Sequence, residues 1–473
     1  MLPHSPPEAQ GISAKDLLIF VQEAEKRLDA LHGFVLVRHG HIVAQGWWSP
    51  YAPDQPHQVY SLSKSFAATA VGLAAAEGKL RLSDKVLFFF PDEAPAQPDT
   101  NLAAMTVQDL LSMESGHAED TLDWLFDSKD STWTRAFLSL PVEHKPGTQF
   151  VYNTGATYMA SAIVQRVTGQ TLLNYLQPRL FGPLGIQHPT WGSSPQGVNY
   201  GGFGLAITTG DIARFGQLYL QKGKWQGRQL LPEGWVVEAT AAHADNSGMP
   251  TVDWQQGYGY QFWRCRHGAY RGDGVFGQYC IVFPEQDAVL AITAGVKDMQ
   301  AVLNLVWEQV LTSMKPSPLP ADPQAHEALQ QKLKSLTLAH QAGQPTSPLA
   351  AKISGQHYHF PENDQKIEAV TLEFGEAQDT ITLRNERGAH SIACGHQTWA
   401  QGVTTLAGEE SEVVAATGAW TSDSTYTAKL SYYQTPYCPT LKFTFSQGKL
   451  LYEYEANVSF GETKRPALEG KAE

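Results

Sequence analysis

The first fifty residues alternate between helical and strand-like hydrophobic spacing. Between Ser13 and Leu31 apolar residues recur every three or four positions, which predicts an amphipathic helix with Ser13 as its N-cap. Two short β-like runs follow, Phe34–Arg38 and Ile42–Gly46. Because the residues between them, His39-Gly40-His41, are typical of a tight turn, we expect the two runs to form a hairpin.

A second helix is predicted to begin near Ser61. The residues within it, SFAATAVGLAAAEGKL, are rich in alanine and other small side chains, so this helix can pack closely against its neighbours until the stop signal at Gly78. From about Leu80 to Ala242 the pattern is one of helices and loops, punctuated by proline and glycine.

Strand-like runs return after residue 257, and a helix is predicted from about Lys297 to Ser313. The runs are Tyr258–Trp263, Ala269–Arg271, Tyr279–Phe283 and Ala288–Ala294. An antiparallel sheet flanked by the first and last helices would result, so the fold class is expected to be α+β.

The composition changes near residue 315. A proline-rich segment, KPSPLPADP, is followed by a short helical stretch and by Gly343-Gln344-Pro345. Beyond it, alternating Thr, Tyr, Phe, Val and Leu with turn residues between them predict an all-β module, a sandwich or a barrel. We therefore predict a first domain over residues 1–315, a proline-rich and helical linker over 316–345, and an all-β C-terminal domain over 346–473.

Charge and composition exclude several partners. The 473 residues carry 34 basic and 47 acidic side chains, a net charge of −13, and no basic block that could follow a phosphate backbone, so nucleic acid is not an expected partner. No segment approaches the roughly 20 apolar residues that span a bilayer, so no membrane partner is expected either. The N-terminus shows no secretory signal pattern, and we expect a cytoplasmic protein.

The cysteines do not form a disulfide framework. They are few, scattered and without a CxxC pair, which favours structural thiols. A bridge between Cys265 and Cys280, which could lie on neighbouring strands, is left open at this stage. The four positions are Cys265, Cys280, Cys394 and Cys438.

The strongest chemical signal is an SxxK motif at Ser61 and Lys64. The bare pattern is not specific, because Ser446 and Lys449 reproduce it between two strand-like runs. Ser61 instead opens a helix, where residues three apart lie on one face, so the Lys64 amine can reach the Ser61 hydroxyl. A serine is a weak nucleophile until a base takes its proton, and burial lowers the pKa of a lysine enough to make it that base. The structural alternatives are an N-cap for Ser61 and a solvated first-turn residue for Lys64.

The surrounding sequence resembles a known family. VYSLSKSFAATAVGLAAAEGKLRLSDKV is similar to the active-site helix of class C β-lactamases, penicillin-binding esterases and aminohexanoate-oligomer hydrolases, and MTVQDLLSMESGH is similar to a following segment of that superfamily. The resemblance covers about residues 10 to 310. It implies a β-lactamase/transpeptidase-like domain with a helical subdomain, in which Ser61 is the nucleophile and Lys64 activates it.

The resemblance also implies two further boxes. In KPGTQFVYNTGATYMASAIVQRVTG, Tyr152 takes the place of the tyrosine that shares a proton network with the lysine, acting as general base and acid. Thr154, rather than Asn153, falls at the third position of that box, which departs from the family pattern. The alternative for Tyr152 is a core aromatic residue.

In AYRGDGVFGQYCIVFP the third box becomes Gly272-Asp273-Gly274, with the basic residue missing at its usual place. The family pattern then makes the backbone amides of Ser61 and Val275 the oxyanion hole. Gly272, Asp273 and Gly274, with Thr154, are the expected substrate-binding positions.

The missing basic residue bears on the substrate, because in the family it holds a carboxylate. Arg271, Arg266 or Arg264 could replace it, although only alternate side chains of one strand face the cleft. Asp273 could instead attract a substrate amine or cap the turn, and the sequence does not rank these. Specialised antibiotic hydrolysis is therefore not expected.

No other chemistry has a matching pattern. There is no GxSxG elbow, no HExxH zinc motif and no phosphate-binding glycine loop, so neither a metal nor a cofactor is predicted. The expected function is a serine hydrolase acting through an acyl-enzyme on a small ester, amide or short peptide, with β-lactams at most a weak side activity. The alternative is a non-catalytic or slowly acylating penicillin-binding-like protein, whose β-domain binds a ligand or contacts another copy of the chain. The oligomeric state is left open.

Overall fold

The structure is a computed structural model that describes residues 2–406, 408 and 410–473. In the first part of the chain, strands and helices follow one another along the sequence. The strands are β1 Leu31–Arg38, β2 His41–Trp47, β3 His57–Gln58, β4 Thr190–Trp191, β5 Leu205–Ile207, β6 Lys224–Trp225, β7 Arg228–Gln229, β8 Trp263–Arg264, β9 Tyr270–Gly274, β10 Gln278–Phe283 and β11 Ala288–Ala294. The helices are α1 Ala14–Arg27, α2 Ser63–Ala76, α3 Thr100–Ala104, α4 Val107–Leu111, α5 Leu122–Asp127, α6 Trp133–Leu138, α7 Thr154–Thr168, α8 Leu172–Leu176, α9 Gly182–Leu184, α10 Thr209–Leu220, α11 Glu233–Thr240 and α12 Met299–Leu305.

Six of the described strands form one antiparallel sheet in the order β2-β1-β11-β10-β9-β8. Strands β10 and β11 are buried on both faces, which explains their largely apolar sequences. Helix α10 covers one face and separates the sheet from the helical subdomain, while α1 and α12 cover the other. The predicted hairpin of the first two strands and the N-cap at Ser13 are both present.

One local expectation was wrong, and one alternative that the sequence left open is excluded. The run Tyr258–Trp263 does not form a strand, because Gln261 has a φ of 64° that interrupts the extended chain, and β8 begins only at Trp263. The Cys265–Cys280 bridge does not form either. Cys280 packs in the core on one face of the sheet and Cys265 in the core on the other, and all four cysteines, which lie within the described residues, are free thiols.

The segment predicted as a linker contains a helix, α13 Pro323–Lys334, that packs against α1. Its Leu329 and Leu333 are buried in the core beneath the sheet, and Lys332 pairs with Glu25 at 2.6 Å. A short helix, α14 Ala350–Ile353, follows. The domain boundaries at 315 and 345 remain a prediction.

The C-terminal part is a barrel rather than a sandwich. Its strands are β12 His357–His359, β13 Ala369–Glu373, β14 Gln378–Asn385, β15 Gly388–Gly395, β16 Ala400–Thr404, β17 Glu412–Ser422, β18 Thr425–Ser431, β19 Thr440–Ser446, β20 Lys449–Glu455 and β21 Leu468–Ala472. The pairing of Gly395 with Thr417 joins β15 to β17 and closes nine of the described strands into a ring, with β16 alongside β17. Closure removes the exposed strand edges that a sandwich would leave.

The barrel contacts the first part of the chain beside Ser61. The Tyr60 hydroxyl donates to the Tyr437 hydroxyl at 3.0 Å, and the Gln58 amide donates to the Gln434 carbonyl at 2.8 Å. The barrel therefore lies next to the residue that the sequence marks as a nucleophile. None of the helices formed by the described residues has the length and apolar character that crossing a bilayer requires.

Candidate active site

Ser61 lies in a 3₁₀ turn, Tyr60–Leu62, that leads directly into α2. The turn is held from both sides. Tyr60 has a left-handed φ of 47°, and the Val59 amide donates to the Leu205 carbonyl at 3.0 Å. The Ser61 side chain is partly exposed and makes no capping hydrogen bond to this turn or to α2, so the N-cap alternative does not describe it.

Lys64 is buried against Ser61, one turn along the chain. Its side chain is 1% exposed, which rules out the solvated alternative. The Nζ atom donates to Ser61 Oγ at 3.0 Å, to Thr154 Oγ1 at 3.2 Å and to the Gly202 carbonyl at 3.0 Å. Each of the three protons of the ammonium form therefore has an acceptor.

Burial lowers the pKa of Lys64 from its usual range to about 8, because the low-dielectric interior disfavours the ammonium form. The carboxylates of Asp120 and Asp273 partly oppose this shift. A substantial fraction of Lys64 is thus neutral near pH 8, and a neutral amine can accept a proton.

Thr154 receives its orientation from Asp120. Its hydroxyl donates to Asp120 Oδ2 at 2.9 Å, and its backbone amide donates to Oδ1 at 2.8 Å. Since the single proton of the hydroxyl is committed to Asp120, Thr154 can only accept from Lys64. Asn153 serves another purpose, because its side chain caps α7 and binds Thr121.

This commitment sets the direction of the Lys64 lone pair. In the neutral amine two protons remain, and two fixed acceptors, Thr154 Oγ1 and the Gly202 carbonyl, take them. The lone pair then points to the third partner, Ser61 Oγ. The site therefore holds a base aimed at a hydroxyl.

Tyr152 stands on the other side of Lys64. Its ring stacks on Trp263 at 5.3 Å between centroids, and Lys64 Nζ lies 4.8 Å from the Tyr152 ring centroid. Burial and the Asp273 carboxylate raise the pKa of Tyr152 well above its usual value, and a hydrogen bond with Ser61 opposes part of the shift. Tyr152 is therefore a protonated phenol at neutral pH, and it can donate a proton.

The third box lies along β9, against the Ser61 turn. A Cβ atom on Gly274 would stand 2.1 Å from the Val59 carbonyl oxygen and 3.1 Å from the Ser61 amide nitrogen. A Cβ atom on Gly272 would stand 2.5 Å from Leu62. Both glycines are therefore required by the close approach of the strand to the turn.

Val275 follows Gly274 at the start of the turn between β9 and β10. Its carbonyl accepts from the Gln278 side chain at 3.2 Å, and Phe276, next in the chain, has a left-handed φ of 68°. The side chain of Gln278 also donates to the Ala294 carbonyl at 2.8 Å. The peptide that carries the second predicted oxyanion donor is thus anchored to the sheet.

Arg271 and Asp273 form a buried ion pair on the other face of β9, with Arg271 Nε donating to Asp273 Oδ2 at 2.9 Å. Arg271 is 0% exposed and lies over the ring of Trp254, at 4.3 Å from its centroid. It also donates to the Asp253 carbonyl at 2.8 Å. Arg271 therefore reaches no substrate directly.

The other two arginines considered as replacements for the missing basic residue are held elsewhere. Arg266 donates to both carboxylate oxygens of Asp253, and Arg264 donates to the Thr240 carbonyl. The second SxxK pattern is part of a hairpin, in which exposed Lys449 pairs with Glu469 at 2.7 Å. The structure thus brings together Ser61, Lys64, Tyr152, Thr154 and the β9 glycines, and leaves Ser446 outside.

Sequence reasoning missed two groups of the site. Asp120 stands three residues beyond the family-like segment MTVQDLLSMESGH and carries no motif of its own. Gly202 contributes a carbonyl, which no side-chain pattern reveals, and the sequence marked it only as loop punctuation. The described residues contain no cluster of three or more His, Cys, Asp or Glu side chains able to hold a metal ion.

Comparison with known proteins identifies a family. A family model described as Beta-lactamase matches residues 21–304, more than half of the chain. The chain is 24% identical over 290 residues to the 6-aminohexanoate-dimer hydrolase of Paenarthrobacter ureafaciens, a match that covers 57% of this chain and 74% of that protein.

Two solved structures show the same fold. A penicillin-binding protein homologue from Caulobacter crescentus superposes with a TM-score of 0.52 at 20% identity, covering 66% of this chain and 98% of its own. The octameric penicillin-binding protein homologue from Pyrococcus abyssi superposes with a TM-score of 0.52 at 14% identity, covering 97% of this chain and 99% of its own. The predicted fold class is confirmed, with the barrel as its C-terminal part.

Proposed function

Because the chain belongs to the β-lactamase family, we propose that it is a serine hydrolase that cleaves a small ester or amide through an acyl-enzyme on Ser61. The observation that carries the proposal is the set of three acceptors around the buried Lys64 amine. Two of them are fixed in orientation, so the neutral amine faces the Ser61 hydroxyl with its lone pair.

Acylation begins when Lys64 Nζ takes the proton of the Ser61 hydroxyl. The oxygen then bonds to the substrate carbonyl carbon, and the carbonyl oxygen becomes an oxyanion. The ammonium so formed is stabilised by its three acceptors and by the nearby face of Tyr152. Thr154 and Asp120 act as positioning residues, because they orient Lys64 without touching the substrate.

Backbone amides of Ser61 and Val275 are the proposed oxyanion donors. Close packing of Gly274 against the Ser61 turn supports this assignment, because it places the residue before Val275 directly beside the Ser61 amide. When the carbonyl re-forms, the bond to the leaving group breaks and Tyr152 donates its phenolic proton to the leaving oxygen or nitrogen. Lys64 returns a proton to Tyr152, and water then hydrolyses the acyl-enzyme with Lys64 again as base.

The proposed substrate has an uncharged group, rather than a carboxylate, near the scissile bond. None of the three arginines that could have replaced the missing basic residue is free to bind a carboxylate, and Asp273 adds negative charge behind Tyr152. The relative named as a 6-aminohexanoate-dimer hydrolase makes linear amides the first class to test, with short esters beside them. Strong β-lactam hydrolysis is not expected.

The test is a panel of nitrophenyl esters, short linear amides, D-amino-acid amides and a chromogenic β-lactam, together with labelling by a fluorophosphonate probe. Ser61→Ala should abolish labelling and turnover. Ser446→Ala is the matched control, since it removes the serine of the accidental SxxK pattern, and it should leave both unchanged.

The same panel decides between an enzyme and a protein that acylates slowly or not at all. Steady turnover lost in Ser61→Ala supports the hydrolase. Labelling that survives in Ser61→Ala, or a wild-type protein that turns over no member of the panel, would sink the proposal.

A further inference from the structure

The interior of the barrel opens into a cavity of about 770 Å³ at one end. Four tyrosines contribute to its wall, together with apolar side chains that include Ile367 and Leu406. The tyrosines are Tyr432, Tyr437, Tyr452 and Tyr454. A cavity of this size can hold a small organic molecule.

Glu412 is the unusual member of the wall. It is the first residue of β17, and Val414 and Ala416, two and four positions along the same strand, face the barrel core. Because side chains alternate along a strand, Glu412 points into the same interior. Its Oε2 atom is buried and has no hydrogen-bond partner among the described residues.

Each basic side chain in the wall interacts with another group. Lys366 pairs with Glu386 at 3.0 Å, Arg387 donates to the Leu406 carbonyl at 2.7 Å, and Arg465 stacks over the Tyr454 ring at 4.7 Å. None of them lies within ion-pair distance of Glu412 among the described residues. Burial raises the pKa of Glu412, with no nearby cation to oppose the shift.

A carboxylate whose buried oxygen has no partner costs free energy, and a cation that enters the cavity would reduce that cost. The surroundings of Glu412 favour an organic cation over a metal ion. The aromatic rings around it stabilise a cation through their faces, and Glu412 lies close enough to Tyr432 and Tyr60 to raise their pKa values. The described residues also supply no second and third carboxylate, histidine or cysteine to complete a metal site there.

We propose that the barrel cavity binds an organic ammonium ion, a primary or quaternary alkylamine, with Glu412 as its counter-ion and the tyrosine rings as its apolar wall. The site is separate from the Ser61 cleft and does not depend on serine chemistry. One of its wall residues, Tyr437, contacts the hydrolase part, because its hydroxyl accepts from that of Tyr60. The barrel is thereby a second ligand-binding unit in the chain.

The test is calorimetric titration of the full-length protein with butylammonium chloride and with tetramethylammonium chloride, at constant ionic strength. Both should bind, and sodium butyrate should not. Glu412→Gln should weaken binding at least about tenfold, because it removes the counter-ion while keeping the side-chain shape. Glu462→Gln is the matched control, since Glu462 lines the same cavity but is exposed, and it should bind as the wild type does.

Two further variants test whether the ammonium ion binds in the barrel cavity rather than near Ser61. Ser61→Ala should bind ammonium ions unchanged, so a failure of the hydrolase proposal leaves this one intact. Asp273→Asn should also bind unchanged, because Asp273 lies on β9, outside the barrel cavity. The proposal is overturned if neither ammonium ion binds, if Glu412→Gln binds as tightly as the wild type, or if binding is lost in Asp273→Asn and kept in Glu412→Gln.

Discussion

The hydroxyl of Thr154 donates to Asp120 Oδ2 at 2.9 Å, and the amide of the same residue donates to Oδ1 at 2.8 Å. This double contact leaves the Thr154 hydroxyl able only to accept from Lys64. Asp120 makes no hydrogen bond to Ser61 or to Lys64. Through Thr154 it nevertheless determines the direction of the Lys64 lone pair.

Asp120→Asn tests this relationship. The amide can still accept from Thr154, but it removes a negative charge that raises the pKa of Lys64. We expect kcat to fall by about tenfold to a hundredfold, no more than the lower end of the about 100- to 10,000-fold that acid–base catalysis contributes. The acidic limb of the kcat/KM profile should move to lower pH, because the Lys64 pKa falls. Asp123→Asn, an exposed neighbour, should change neither quantity.

The pH profile of the wild type follows from the Lys64 pKa of about 8. The neutral amine is the base, so kcat/KM should rise as pH increases from about 6 and level off above about 9. Lys64→Arg should remove the rise altogether, because a guanidinium keeps its proton. A rate of ester hydrolysis that is flat across this range, or that falls as pH rises, contradicts the assignment of Lys64 as the base.

Much of the fold could be predicted from local pattern. The helical spacing after Ser13 and the alternation of the β-strands both reflect short-range physics, and each corresponds to an observed element. The pairing of Ser61 with Lys64 could be predicted for the same reason, since three residues make one helical turn. The strand expected at Tyr258–Trp263 failed because a left-handed φ at Gln261 leaves little trace in the composition.

Long-range contacts account for what the sequence could not supply. Asp120 and the Gly202 carbonyl reach the site from loops far from α2, and neither has a spacing that signals a role. Barrel closure depends on one pairing, Gly395 with Thr417, that strand patterns do not encode. In the sequence, Glu412 is a polar residue at the start of a strand like many others. Its inward orientation follows only from the alternation of side chains along β17.

Gly274→Ala tests the packing of β9 on the Ser61 turn. The added methyl group would stand 2.1 Å from the Val59 carbonyl oxygen, so the turn or the strand must move. We expect the free energy of unfolding to fall by about 1–3 kcal/mol and kcat to fall by at least about tenfold, because the oxyanion donors separate. Gly234→Ala, where an added Cβ meets nothing within 4 Å, should keep wild-type activity in the same assay.

Acid lability is expected from the buried histidine pair at the domain contact. His57 Nε2 lies 3.1 Å from His32 Nδ1, and burial lowers the pKa of His57 from 6.5 to about 4. Its stabilising contribution is present above about pH 6.5 and is lost as pH falls towards 4, because the unfolded chain then binds a proton that the folded one does not. Protonation linked to His57 lowers the free energy of unfolding by about 3 kcal/mol over this pH range.

Urea unfolding at several pH values checks this expectation. His57→Gln should flatten the decline between about pH 6.5 and 4, whatever its effect at neutral pH. His188→Gln, at an exposed histidine, should reproduce the wild-type decline. An identical pH slope in wild type and His57→Gln would show that the acid sensitivity has another source.

Arg271→Met tests the buried ion pair behind the cleft. The substitution keeps the apolar contact with Trp254 but leaves the Asp273 carboxylate buried and unpaired. We expect the free energy of unfolding to fall by about 3–5 kcal/mol, as is usual when one partner of a buried pair is removed. Adding Asp273→Asn should recover part of that loss, since an amide costs less to bury than a carboxylate. A double variant that is less stable than Arg271→Met alone would contradict this expectation. It would show that Asp273 does not stabilise the fold through its ion pair with Arg271, but through the side of the site that holds Tyr152 and Lys64.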